Sequence, residues 1–129
     1  MTDSEQPDPA AAAVELAHAL FDLARAGDAE RLEAYVDAGA PVDLTDPAGN
    51  TLLMLAAYHG HPSTVAELAD RGADVDRLND RGQSPLAGAV FKGEAEVVAT
   101  LLRHGADPEA GQPTARETAA IFGREDLLA

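Results

Sequence analysis

Cysteine is missing from this 129-residue sequence. Disulfide frameworks, thiolate zinc sites and cysteine nucleophiles are therefore excluded. Tryptophan is missing too, and the aromatic side chains are only Phe21, Tyr35, Tyr58, Phe91 and Phe122. Alanine, leucine and valine carry the apolar content, and such aromatic-poor, alanine-rich chains fold as closely packed helices. Bases are scarce, with 9 Lys and Arg against 23 Asp and Glu, a net charge of −14. That surface repels phosphate backbones and anionic lipid, so neither nucleic acid nor a membrane surface is expected as a partner. The acidity serves solubility, or it matches a basic partner. No apolar run approaches the roughly 18 residues of a membrane span. The opening MTDSEQPDP has no charged-then-apolar signal pattern, so the expected compartment is the cytoplasm. The length suits one domain with a real core.

What the sequence does have is a period. Gly-Ala occurs at Gly39-Ala40, Gly72-Ala73 and Gly105-Ala106, evenly spaced along the chain. Gly27, Gly60 and Gly93 keep the same interval, as do Leu20, Leu53 and Leu86, and Leu32, Val65 and Val98. Asp43 pairs with Asp76, and Gly49 with Gly82. Agreement of so many independent positions is the mark of a repeat architecture.

Each unit reads alike. A glycine turn (DPAGN, NDRGQ) precedes Thr51 or Ser84, a hydroxyl placed to cap a helix. Pro85 stands at a first helical position, where its missing N–H costs nothing. A short helix follows (LLMLAAYH, PLAGAVFK), ended by Gly60 or Gly93. A second helix (PSTVAELADR, EAEVVATLLRH) ends at Gly72 or Gly105. Core-facing spacing assigns Leu32, Val65, Val98, Leu68 and Leu101 to packing. Ala24, Ala56, Ala57, Ala89, Ala119 and Ala120 are expected where helices approach closely.

GNTLLMLAAYHGHPSTVAELADRGADVD and GQSPLAGAVFKGEAEVVATLLRHGADPE resemble the ankyrin repeat, a unit of β-turn plus two helices. The resemblance implies an all-α solenoid of four repeats, two internal and two capping, over roughly residues 14–129. The expected divisions are a disordered acidic tail at 1–8, an N-terminal capping repeat at 9–44, repeats at 45–78 and 79–111, and a truncated capping repeat at 112–129. The first helix is expected to begin near Pro9, after Asp8. Gly123 comes three positions earlier than the period would place it after Gly93. The linker before the last repeat is shortened by that amount, and the second helix of that repeat should fray. The family's Thr-Pro-Leu-His reads TLLM and SPLA here; loss of that histidine implies a less stable stack.

Family resemblance also implies function: a non-catalytic module that binds a protein partner on a concave face, as in small stand-alone bacterial ankyrin proteins, some of them accessory to a neighbouring enzyme. On that model Tyr58, Phe91 and Phe122 line up across the concave face, and aromatic side chains are the usual hot spots of interfaces. His59, Lys92 and Arg25 fall around them. The turn tips add Asn50, Leu78, Asp80, Arg81 and Gln83. The competing reading has Tyr58 and Phe91 merely covering the helix seam. Charge is uneven as well, with ten acids and two bases over residues 1–44. Such polarity orients a partner.

Other functional classes are weaker. His59 and His61 flank a glycine and suggest a metal-dependent enzyme, but a site needs about three or four converging ligands. The family often carries histidine at the position of His61. Glu94 and Glu96 sit at a helix start, where carboxylates favour the dipole without catalysis. There is no glycine-rich phosphate loop and no Gly-x-Ser-x-Gly. No cofactor is expected. An acidic decoy occupying a basic site on another macromolecule is the alternative; its binding would weaken steeply with salt. The expected state is a monomer, with weak self-association through the short C-terminal end.

Overall fold

The computed structural model describes residues 8–129. The tail expected at 1–8 lies outside the described residues except for Asp8, which is ordered and caps a helix. Its carboxylate accepts the Ala10 N–H at 3.2 Å, and Pro9 follows at the first helical position. Helix α1, Pro9–Ala26, runs from there until Gly27 turns the chain at φ +74°. Six more helices follow: α2 (Ala29–Asp37), α3 (Leu52–Tyr58), α4 (Pro62–Asp70), α5 (Pro85–Lys92), α6 (Ala95–Arg103) and α7 (Ala115–Phe122). A 3-10 turn, Glu125–Leu128, stands where the sequence suggests a short, frayed second helix. It is docked, with Leu127 and Leu128 packed against the core.

Hydroxyl caps start the inner helices. Thr51 Oγ1 accepts the Met54 N–H at 3.1 Å, and Ser84 Oγ the Ala87 N–H at 3.0 Å. Thr114 and Glu117 form a reciprocal capping box at α7. Helices α1, α3, α5 and α7 pack side by side as one layer; α2, α4, α6 and the 3-10 turn form a second layer behind them. A single pair cannot bury its apolar face, so the core is continuous along the stack. Leu20, Leu53 and Leu86, one from each successive unit, are fully buried, as are Leu32, Val65 and Val98. Leu68 and Leu101 join them. Ala24, Ala56, Ala57, Ala89 and Ala119 are buried at the close approaches, but Ala120 is exposed. It lies on α7, which has a neighbouring first helix on one side only. Met54 and Ala87 fill the positions where the family places its histidine, and both are buried.

The turns before α3 and α5 are built alike. The Asp46 carboxylate accepts the N–H groups of Ala48 and Asn50, each at 2.9 Å. Asn79 Oδ1 does the same for Arg81 and Gln83, each at 3.0 Å. The two turns are laced together: Asn79 Nδ2 donates to Asn50 Oδ1 at 2.9 Å and the Asp80 N–H to the Ala48 carbonyl at 3.0 Å. The shortened linker docks on the second turn through the Gln112 N–H and the Gly82 carbonyl, 2.9 Å apart.

Among the described residues, one buried side-chain polar atom has no partner. Thr64 Oγ1 on α4 is enclosed without a hydrogen bond, and Val97 holds the corresponding place one unit later. Replacing Thr64 by valine removes the cost of a buried, unpaired hydroxyl. It should stabilise the protein by about 1 kcal/mol. An increased urea midpoint at constant slope checks this; an unchanged midpoint rules it out.

Arg71, at the end of α4, gathers three carboxylates: Asp37 at 2.9 Å, Glu67 at 2.9 Å and Glu33 at 3.2 Å. The hydrogen bond from Arg71 holds the Asp37 carboxyl below its usual value, while the proton-sharing contact with Glu67 raises Glu33. The two act in opposite senses. Stability from Asp37 is present at neutral pH and lost as pH falls through its depressed value. The penalty at Glu33 is relieved over the same descent. Substituting Arg71 with methionine leaves three facing carboxylates. The variant should melt below the wild type at about pH 7, and the gap should close towards about pH 4 as they protonate. A gap that stays constant with pH would assign the loss to packing instead.

Candidate functional site

The exits of α3, α5 and α7 carry Tyr58, Phe91 and Phe122, each roughly half exposed. Phe91 and Phe122 meet edge to face, ring centres 5.2 Å apart at 77°. Lys92 Nζ lies 4.5 Å above the Tyr58 ring, a cation–π contact. Before these aromatics runs an open groove of about 600 Å³. Its floor comprises Met54, Leu55, Ala87 and Gly88; Asn50, Asn79, Arg81 and Gln83 rim it at the turns, and Thr118 and Ile121 close the far end.

Six of the expected partner-binding residues line this groove: Tyr58, Phe91, Phe122, Asn50, Arg81 and Gln83. The other five lie outside it. His59 caps α3 and sets its ring edge-on to Tyr58, centres 5.7 Å apart. Lys92 sets its ammonium over the Tyr58 ring. Arg25, one unit earlier, pairs with Asp22 at 3.0 Å. Asp80 packs its carboxylate against Gly49 of the preceding turn. Leu78 is exposed just before the second turn. Residues that sequence reasoning misses include Met54, Leu55, Gly88, Thr118 and Ile121. The signal for Ile121 was present: it takes the place of Phe91 in the last unit once the shortened linker is allowed for.

His59 and His61 serve different neighbours. His61 Nε2 donates to the Arg25 carbonyl of the preceding unit at 2.7 Å, and its ring covers Gly27. Arg124, the counterpart of His61 in the last unit, donates through Nη1 to the Phe91 carbonyl at 2.6 Å. Glu94 lays its carboxylate over Gly60 in the same sense. The residues after Gly60, Gly93 and Gly123 thus reach back across the seam. Desolvation lowers the His59 pKa first, and the charges of Lys92, His61 and Arg25 add to it. Among the described residues, no three His, Asp or Glu gather closely enough to hold a metal ion.

Two layers of helix pairs at a fixed period, joined by laced turns, define a helical repeat solenoid. The model for ankyrin repeats, in three copies, matches residues 20–112, and the chain belongs to the ankyrin repeat family. It is also similar to the Pseudomonas aeruginosa ankyrin repeat protein PA3287, 49% identical over 65 residues. That match covers 50% of this chain and 38% of the relative, so the chain spans well under two thirds of that protein's length. Ankyrin repeats are in general protein–protein interaction modules. Among the described residues, no helix is long and apolar enough to cross a membrane.

Proposed function

We propose that this chain is a non-catalytic cytoplasmic module that binds a protein partner on the concave face of its stack, as an accessory or regulatory subunit. One observation carries the reading. The large apolar side chains of α3, α5 and α7 are buried except at the helix exits, where Tyr58, Phe91, Ile121 and Phe122 stay 42–69% exposed along a single groove. Apolar surface kept open beside a polar rim is the anatomy of an interface core. The contact surface then comprises Tyr58, Phe91 and Phe122 at the centre, with Asn50, Arg81 and Gln83 on the rim. His59, Lys92, Arg25, Leu78 and Asp80 form the periphery.

The test is affinity capture from native lysate with mass spectrometry. Wild type is compared with a variant carrying Tyr58→Ala, Phe91→Ala and Phe122→Ala, its fold verified by circular dichroism. A partner held by the wild type should bind the variant at least about a hundredfold more weakly, since each central aromatic contributes on the order of 2 kcal/mol. Equal capture by both moves the site to the acidic surface. Capture that is lost as salt rises would favour the decoy reading.

A further inference from the structure

We infer that the groove is built to take an extended protein segment that presents a large apolar side chain next to an acidic one. This inference rests on the concave-face reading and specifies its partner. Three observations support it.

The first is a missing side chain. Gly88 sits inside α5, where glycine is about 1 kcal/mol less favourable than alanine. The same register holds Leu55 one unit earlier, and both residues line the groove. A Cβ added at Gly88 would meet only Tyr58 Cδ1, at an ordinary 3.7 Å. Packing therefore does not demand glycine there. Its effect is a notch in the groove floor, walled by Tyr58 and Phe91, that a partner's aliphatic or aromatic side chain would fill.

The second is charge. The chain has 23 acidic residues, yet among the described residues no acidic one lines the groove. Arg81 is the one charged residue in the lining, and among the described residues neither it nor Lys92 forms a salt bridge. Arg25, Arg31, Arg71 and Arg116 are paired with carboxylates, and Arg77, Arg103 and Arg124, which form no salt bridge among the described residues, do not line the groove. Free cations flanking a carboxylate-free groove complement an acidic group. The net charge of −14 opposes an acidic partner only at long range. At physiological ionic strength that repulsion is screened beyond about 8 Å, so Arg81 decides at contact.

The third is length. The groove crosses α3, α5 and α7. With neighbouring axes about 10 Å apart, it is about 20 Å long, which an extended segment of about six residues spans.

The experiment uses an array of short synthetic extended peptides. The central residue varies through Leu, Phe, Ala and Ser, and the flanking charge through Asp/Glu, Asn/Gln and Lys/Arg. The array is probed with the full chain and with R81E, G88L and the triple aromatic variant. The wild type should select Leu or Phe with an acidic flank, by about tenfold or more over the neutral flank. R81E should reverse the preference to a basic flank. G88L, whose Cβ meets only Tyr58 Cδ1 at 3.7 Å and whose fold is verified by circular dichroism, should lose the preference for a large central residue by about tenfold. Selection of basic or purely polar peptides by the wild type overturns the inference, as does a preference that neither R81E nor G88L changes. If those two leave the preference intact while the aromatic variant abolishes binding, the concave face stands and this specificity falls. Binding that survives the aromatic variant sinks both, and no binding of any peptide sinks the extended-segment inference while the capture experiment still decides the concave face.

Discussion

Leu86→Ala should lower the unfolding free energy by about 3–4 kcal/mol, the largest single-site loss expected in this molecule. Leu86 is fully buried on α5, the inner helix that packs against α3, α6 and α7 at once. Truncation removes the transfer energy of its side chain and leaves a cavity that three neighbours hold open. A stack of this kind is stabilised by the sum of unit and seam terms, so damage at its centre weakens two seams together. Urea unfolding followed by circular dichroism should show a lower midpoint. The transition should also broaden as the C-terminal half separates from the rest. Leu127→Ala, on the half-buried terminal turn, is the comparison and should cost far less. A Leu86→Ala loss under about 1 kcal/mol would mean that the helices repack freely, contrary to the tight seams described above.

Gly27→Ala is expected to cost about 2–3 kcal/mol, and for reasons that can be separated. The residue stands at φ +74°, where a Cβ brings roughly 1–2 kcal/mol of strain. That Cβ would also collide with the His61 ring. The ring must move, and its hydrogen bond to the Arg25 carbonyl breaks, at about 1 kcal/mol. His61→Ala in the same background relieves the collision but not the strain. The double variant should therefore be more stable than the two single losses add up to, by on the order of 1 kcal/mol. Strict additivity would mean that ring and glycine do not contact in solution.

Much of this architecture can be read from spacing alone. A constant interval in glycines and leucines marks the units, hydroxyl residues before apolar runs mark the helix starts, and Asp8-Pro9 marks the start of α1. These signals are local or strictly periodic, and sequence displays both. The groove is legible only in part. Tyr58, Phe91 and Phe122 show because aromatics are so few. Gly88 and Leu55 do not, since a groove floor is defined by what neighbouring helices leave unfilled, and no single unit records that. Leu78 and Asp80 share a turn with Arg81 and Gln83, but successive residues of a turn face different ways, and only the latter two border the groove. The end of the chain is hard to read for a related reason. REDLLA is too short to declare whether it forms a helix or a 3-10 turn, and the choice is made by its contacts with α6 and α7.

At the exits of the first helices, the side chains that cross each seam run one way. His61, Glu94 and Arg124 each send a side chain to backbone that belongs to the unit before. The stack therefore has a polarity independent of its charge, with a receiving end and a giving end. A unit added ahead of α1 would need to offer only bare backbone at its helix exit, with its glycine left uncovered. A unit added after the last turn would have to bring a side chain of its own to close the new seam. Lengthening such a molecule is thus unequal at its two ends, and at the last helix exit it is the side chain at position 124 that reaches back to α5.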